Sequence, residues 1–346
     1  MRKWVKSMKV TISDVAKLAG VSTATVSHTI NNTRYVSSET KEKVYQAIQE
    51  LGYTPDASAR SFRTGKKKTI GFIVPDISNQ FFATMIESVE RYLAAQGYHL
   101  IVANTNEDIE REETNIRLLS AGLVDGLLIA STIENFQRLD ALIPAGFPVV
   151  LVDRTFDTKK YSSVCVSNFQ PIYRSVCRLA GKGDRHIGII GGLPRLSTTK
   201  ERISAYQQAI ADCGLTDDNA LIRYGGSGEN NACNCLDDLL AQGCDAVIVT
   251  NGLMASDIII YLLKKDVKLL NKLDLVSFVD YSSSFYQLYE GQVDSIIQPV
   301  EELGASAGEL ILKRVEEPET PVFEKVLTST YKPHDGQPTN WAHSDR

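Results

Sequence analysis

Between Thr69 and Val279 short apolar runs alternate with longer amphipathic stretches, and this alternation restricts the fold more than any single motif. TIGFIVP, YHLIVAN, VDGLLIA, PVVLVD, HIGIIGG, CDAVIVT and LDLVSFV read as buried strands, with a further strand near residue 221. Helical periodicity occupies residues 80–96, about 108–121 and a short interval before PVVLVD. A second strand–helix series begins near residue 169 and includes a helix over about 199–213. Such alternation builds parallel sheets with helices on both faces. Two series of about 125 residues each predict two doubly wound parallel-sheet subdomains with a cleft between them.

Open parallel sheets bind ligands beyond the carboxyl ends of their strands. The candidate site is therefore made by the residues there: Asp76, Ser78, Asn79, Phe81 and Phe82 after the first strand, and Asp153 and Arg154 after PVVLV. Ser197 and Arg202 follow HIGIIGG in the run LPRLSTTKER, Asn251 follows CDAVIVT, and Asp280 follows LDLVSFV. Convergent polar groups with a few aromatics are what a sugar site requires. The rival reading places Arg154 in a surface pair with Asp157, and Phe81 or Phe82 in ordinary core.

The overall charge of −5 conceals an asymmetry. Residues 1–68 hold 13 Lys/Arg against 5 Asp/Glu, so a head of +8 precedes a body of −13. A basic head on an acidic body points to a polyanionic partner for the head alone. Within the head, Thr11 caps a short helix with Asp14 in its first turn, and Ile12, Val15 and Ala16 share one face. Ala19-Gly20-Val21 breaks it, and Ser22 caps a second helix with Val26 and Ile30 inward. Thr23, Ala24, Thr25, Ser27 and His28 are left outward or flanking. A third helix, capped by Ser37 or Ser38, carries the stripe Val44, Ala47, Ile48, Leu51 and ends at Gly52. Helix, three-residue turn and helix with small polar outer positions describe a helix-turn-helix.

The stretch from TISDVAKLAGVSTATVSHTINN through YTPDASARSFRTGKKKTIGFIVPD resembles the head and hinge of the lactose-repressor family of bacterial regulators. Family members begin just before TIxDVA, so either residues 1–7 are an extension or Met8 is the true start. The resemblance implies a small all-α head joined to an α/β body like the periplasmic sugar-binding proteins. The expected limits are 9–54 for the head, 55–68 for the hinge and 69–330 for the effector-binding and dimerisation domain. Within the latter, one subdomain takes about 69–168 and 298–328, the other about 169–297 and 329–340, and 341–346 form a tail. Thr23, Ala24 and His28 fall where the family reads bases: His28 can bond a guanine edge, and Ala24 or the Thr23 methyl can touch a thymine methyl. Thr11, Ser22, Thr25, Ser27, Asn31 and Tyr53 join them at the DNA, the last five as phosphate anchors. In the hinge, Ala59 and Arg60 accompany Phe62, which stands where relatives usually carry a leucine wedge that splits a base step in the minor groove.

For the cleft, the resemblance assigns Arg202 to effector hydroxyls or carboxylates. Asp153-Arg154 with LPRLS looks most like the fructose/sucrose regulators, whose effector is typically a phosphorylated ketose. Two guanidinium forks suit a phosphate, with Asn79 and Asp153 taking hydroxyls. The sequence departs from the family at Ser167-Asn168, where Asp-Asn is frequent, and at Gly252, where an Asp usually follows the strand-ending Asn. Val279 takes the place of an effector-binding Asp, with Asp280 one position later, and Asp184 replaces a common His.

Other classes fit less well. Gly225-Gly226-Ser227-Gly228 lacks the Lys-Ser/Thr of a phosphate loop, and no nucleophile or metalloprotease motif occurs, so an enzyme is not expected. The six cysteines, all after residue 164, show no paired C-x-x-C and read as free thiols of a reducing compartment. A periplasmic binding protein would need a signal peptide and no basic head. The reading is thus a cytoplasmic, nucleoid-associated homodimer that binds a palindromic double-stranded operator and regulates carbohydrate genes, most simply by repression. It needs no cofactor, metal or membrane, and a sugar or sugar-phosphate effector controls it. The alternative keeps the fold but answers a partner protein or a non-sugar metabolite. The tail lacks heptads, so no added tetramer-forming helix is expected.

Overall fold

The computed structural model describes residues 10–54, 66–156, 158–215, 221–226, 231–265, 267–270, 272–279, 292–334 and 339–340. The chain divides into two compact units, Met1–Lys67 and Lys68–Arg346.

The first unit holds α1 (Ile12–Ala19), α2 (Thr23–Asn31) and α3 (Ser38–Leu51). The Asp14 carboxylate accepts from the Thr11 backbone N–H at 2.9 Å and from its hydroxyl at 2.7 Å, closing the first turn. Gly20 ends α1 in the left-handed region at φ 67°, which lets the chain turn at once into α2. Ser22 caps α2 by accepting from Thr25 N–H at 3.1 Å, and Ser37, not Ser38, caps α3. Val15, Ala16, Val26, Val44 and Ala47 are buried together, with Tyr53 half-buried against them.

The second unit contains two sheets. The first comprises β1 (Thr69–Val74), β2 (His99–Asn104), β3 (Gly126–Ile129), β4 (Val149–Val152), β5 (Ser162–Val166) and, far along the chain, β11 (Glu324–Leu327). Its order is β11-β5-β4-β3-β1-β2, all parallel. The second comprises β6 (Ile187–Gly191), β7 (Ile222–Tyr224), β8 (Ala246–Val249), β9 (Asp274–Val279), β10 (Asp294–Ile297), β12 (Thr330–Lys332) and β13 (Thr339–Asn340). Its order is β13-β12-β10-β9-β8-β6-β7, parallel from β10 to β7 and antiparallel at β12 and β13. In each sheet the first strand lies between the second and third, so the strand order reverses there and opens a crevice at the carboxyl ends. The chain passes between the sheets after β5, after β10 and after β11. β5 precedes the second series expected from near residue 169 and has no counterpart among the expected strands. YSSVCV carries three polar residues, yet Ser162 and Ser163 are buried, because β11 covers what would otherwise be a sheet edge.

Helices α4 (Gln80–Ala95), α5 (Ile109–Ser120) and α6 (Phe136–Asp140) belong to the first series. The second has α7 (Phe169–Lys182), α8 (Ser197–Asp212), α9 (Asn231–Ala241), α10 (Gly252–Lys265) and α11 (Val267–Leu270), and α12 (Val300–Glu316) returns to the first sheet. A Cβ on Gly304 of α12 would stand 2.8 Å from the Met85 carbonyl oxygen of α4, so only glycine permits this approach.

At the end of the second sheet away from the crevice, Asp184 faces Asp274 and Asp245 beside Lys182. Burial and the two neighbouring carboxylates push Asp184 up to about 6. An acid whose folded pKa exceeds its unfolded value makes the native state hold the extra proton. Stability therefore falls as pH rises from about 4 to about 6 and stays lower above that. Asp184→Asn should raise the melting temperature at pH 7 and flatten its decline between pH 4 and 6. The gain should be under about 1 kcal/mol because the group is only partly buried and solvent screens it. A variant with the wild-type pH profile would remove this assignment.

Candidate functional site

The carboxyl ends of β1, β2 and β4 on one side and of β6, β7, β8 and β9 on the other enclose a cleft of about 770 Å³. Asp76, Asn79, Phe81, Asp153, Arg154, Arg202 and Asn251 all line it. Ser197 does not: as the first residue of α8 it is exposed, and Thr198 and Thr199, one and two positions on, face the cleft. Helical rotation of about 100° per residue made the difference, and it follows from where the helix starts. Asp280 lies outside the described residues, as does Asp157, the alternative partner of Arg154.

Asp153 follows β4 in the left-handed region at φ 64°, a strained conformation for a residue with a Cβ. It is buried, and desolvation raises its pKa despite Arg154 and Arg202 nearby. Arg154 is only 8% exposed, which excludes a surface role. Its Nη2 donates to Glu107 at 2.9 Å and its Nη1 to the Thr132 hydroxyl at 3.2 Å, while its buried Nε–H has no partner among the described residues. Thr132 is itself fixed from behind, since its N–H donates to Glu112 at 2.7 Å and Ser131 donates to the same carboxylate at 2.5 Å. Glu112 is buried and its carboxyl raised by that burial.

Arg202 reaches across from α8. Its Nε donates to Asn168 at 2.8 Å and its Nη1 to the Thr250 carbonyl at 2.5 Å, with the guanidinium 4.0 Å from the Phe278 ring centre. Burial lowers it to about 10, so it remains charged at neutral pH. Arg195, also from LPRLS, donates to the Glu107 carbonyl at 3.2 Å and links the two sides of the cleft. Glu107, Glu112, Thr132 and Asn168 were not singled out as site residues from the sequence. A Glu in an exposed loop and a Glu on an amphipathic helix carry no local mark of their tertiary partner.

On the head, Thr23 and Ala24 are exposed at the start of α2, and Thr25, Ser27 and His28 are half-buried along it. His28 Nδ1 pairs with the Thr33 hydroxyl at 2.8 Å, which orients the ring and leaves Nε2 for a further partner. Asn31 donates to the Ser27 carbonyl at 2.8 Å. Thr11 and Ser22 are exposed at helix N-termini, where N–H groups favour phosphate. The hinge residues Ala59, Arg60 and Phe62 lie outside the described residues.

A helix-turn-helix unit with an α/β body of two parallel sheets around a polar cleft defines a ligand-binding DNA-binding regulator. Residues 11–56 match the family described as bacterial regulatory proteins, lacI family, and residues 67–334 match periplasmic binding proteins and sugar binding domain of LacI family. The chain belongs to the LacI family and is a DNA-binding transcriptional repressor, not an enzyme. It is 33% identical over 310 residues to the HTH-type transcriptional repressor PurR of Pasteurella multocida, covering 89% of this chain and 92% of that one. It is equally 33% identical to PurR of Aliivibrio fischeri, over 91% and 95%. Among solved structures, a transcriptional regulator CelR–cellobiose complex superposes with TM-score 0.68 at 26% identity over 93% and 98% of the chains. The Lac repressor bound to ONPG in the repressed state gives 0.80 at 20% identity, over 94% and 98%. The PurR relatives do not single out a fructose/sucrose branch. Among the described residues no helix is long and apolar enough to cross a membrane.

Proposed function

We propose that the repressor binds a palindromic operator as a cytoplasmic, nucleoid-associated homodimer and is controlled by a sugar or sugar phosphate in the Asp153–Arg154–Arg202 cleft. The observation that carries this reading is the buried guanidinium of Arg154, whose Nε–H has no partner among the described residues and which lies in the cleft lining. A buried unpaired donor costs about 1–3 kcal/mol, which a ligand oxygen would recover. Asp153 and Asn79 supply acceptors for hydroxyls, and Phe81 supplies an apolar face. The fructose/sucrose-type regulation of carbohydrate genes rests on this pair of arginines and on the LPRLS run. A second reading, a purine effector, is favoured by the PurR relatives and by the Phe81 ring in the cleft lining, a surface on which a flat base can stack.

Thermal-shift titration with fructose 1-phosphate, sucrose 6-phosphate, cellobiose and purine bases tests both. A ligand at 100 times its Kd adds about 2.7 kcal/mol and visibly raises the melting temperature. A response to phosphorylated sugars alone supports the first reading, and a response to purines alone replaces it. On the DNA side, His28→Ala should relax preference at one base pair per half-site by about 1–3 kcal/mol, measured by competition among operator variants. A loss of equal size at every sequence would make His28 a phosphate contact instead.

A further inference from the structure

Cys177 lies on α7 and Cys213 closes the C-terminus of α8, and their sulfurs are 3.1 Å apart. None of the six cysteines is in a disulfide, and these two are half-buried while the other four are buried. One turn before Cys177, Tyr173 donates its hydroxyl to Asp212, the neighbour of Cys213, at 2.9 Å. The sulfur spacing thus rests on a packed helix pair tied beside the thiols. A bond between them needs a contraction of only about 1 Å, to roughly 2.04 Å.

We propose that Cys177 and Cys213 are a reversible dithiol–disulfide pair that staples α7 to α8 and makes the helix carrying Arg202 sensitive to thiol redox state. In the cytoplasm proposed above, disulfides of this kind are transient and redox-sensing. The oxidant is a low-molecular-weight disulfide. One protein thiolate attacks it, the reagent's S–S bond breaks and the first small thiolate leaves. The second protein sulfur then attacks the mixed disulfide, yields its proton to solvent and displaces the second small thiolate. Two electrons pass from the protein to the reagent, which ends as two thiols. Burial and the adjacent Cys213 sulfur push the Cys177 thiol up. The staple lies about 16 Å along α8 from Arg202. At the other end Arg202 already holds Asn168, the residue that begins α7. Oxidation therefore adds a covalent tie to the helix pair that positions the cleft arginine.

The test equilibrates full-length protein with graded ratios of reduced to oxidised glutathione, alkylates free thiols and maps peptides by mass spectrometry. One cross-link, Cys177 to Cys213, is expected with the other four cysteines alkylated. The oxidised protein should melt about 5 °C higher, a shift absent from Cys213→Ser. If that variant does not fold, Cys177→Ser serves the same comparison. A glutathione adduct without the cross-link, no cross-link at any ratio, or a shift that persists in the serine variant would overturn the proposal.

Discussion

Arg202→Ala is expected to abolish the effector-dependent rise in melting temperature while leaving DNA binding by the head intact. Arg202 gathers Asn168, the Thr250 carbonyl and the face of Phe278 around one buried charge, and lies close enough to Asp153 to counter its burial. Its loss strands the Asn168 amide oxygen and leaves Asp153 with one fewer counter-charge. Breaking a buried ion pair costs about 3–5 kcal/mol. The cost here should fall below that range, because Asp153 is already displaced toward its protonated form and can neutralise itself. Charged hydrogen bonds to ligand are worth about 1.5–3 kcal/mol each, so two lost bonds predict a fall in effector affinity of about 100-fold or more. Calorimetric titration beside fluorescence anisotropy on operator DNA separates the two activities. Wild-type effector affinity in the variant would exclude the cleft as the effector site.

Val26→Asp should unfold the head and leave the body folded and able to bind effector. Val15, Ala16, Val26, Val44 and Ala47 are the buried hydrophobic residues of the described head, with Thr29 beside them, so one charge there has little else to oppose it. Small domains are marginal even when intact, and an unpaired buried charge costs several kcal/mol. Operator affinity should fall by at least about 100-fold, corresponding to roughly 2.7 kcal/mol. Circular dichroism should lose helix signal while the body's thermal transition stays where it was. A head that stays folded and binds operator would mean that Val26 is not the centre of the core. The operator for both assays can be selected by wild-type protein from random-sequence DNA.

The head was legible almost residue by residue, because its signals are local. Ser22 and Ser37 satisfy N–H groups three positions on, Asp14 satisfies that of Thr11, and Gly20 is placed by a single dihedral angle. In the body, the strands buried on both faces were visible as apolar runs, and the crevice residues followed from the rule that ligands bind beyond strand carboxyl ends. Asp153 and Arg154 could be found in this way. The strain at Asp153 and the pairing of Arg154 with Glu107 could not, since positive φ in a non-glycine residue leaves no compositional trace. The error at Ser197 was a matter of helical phase: a polar residue beside a strand end was taken to face the cleft, and α8 turns it to solvent.

The sequence by itself determined the basic three-helix head, the acidic strand–helix body and the family to which both belong. Patterning with periods of 2 and 3.6, caps and charge blocks all act over a few residues. Only the tertiary structure decided that β11, from near residue 324, shields the serines of β5, and that Glu112 holds Thr132 behind Arg154. It also decided that Cys177 meets Cys213. Each of these joins segments distant along the chain, and their partners are selected by packing and desolvation once the sheets have formed.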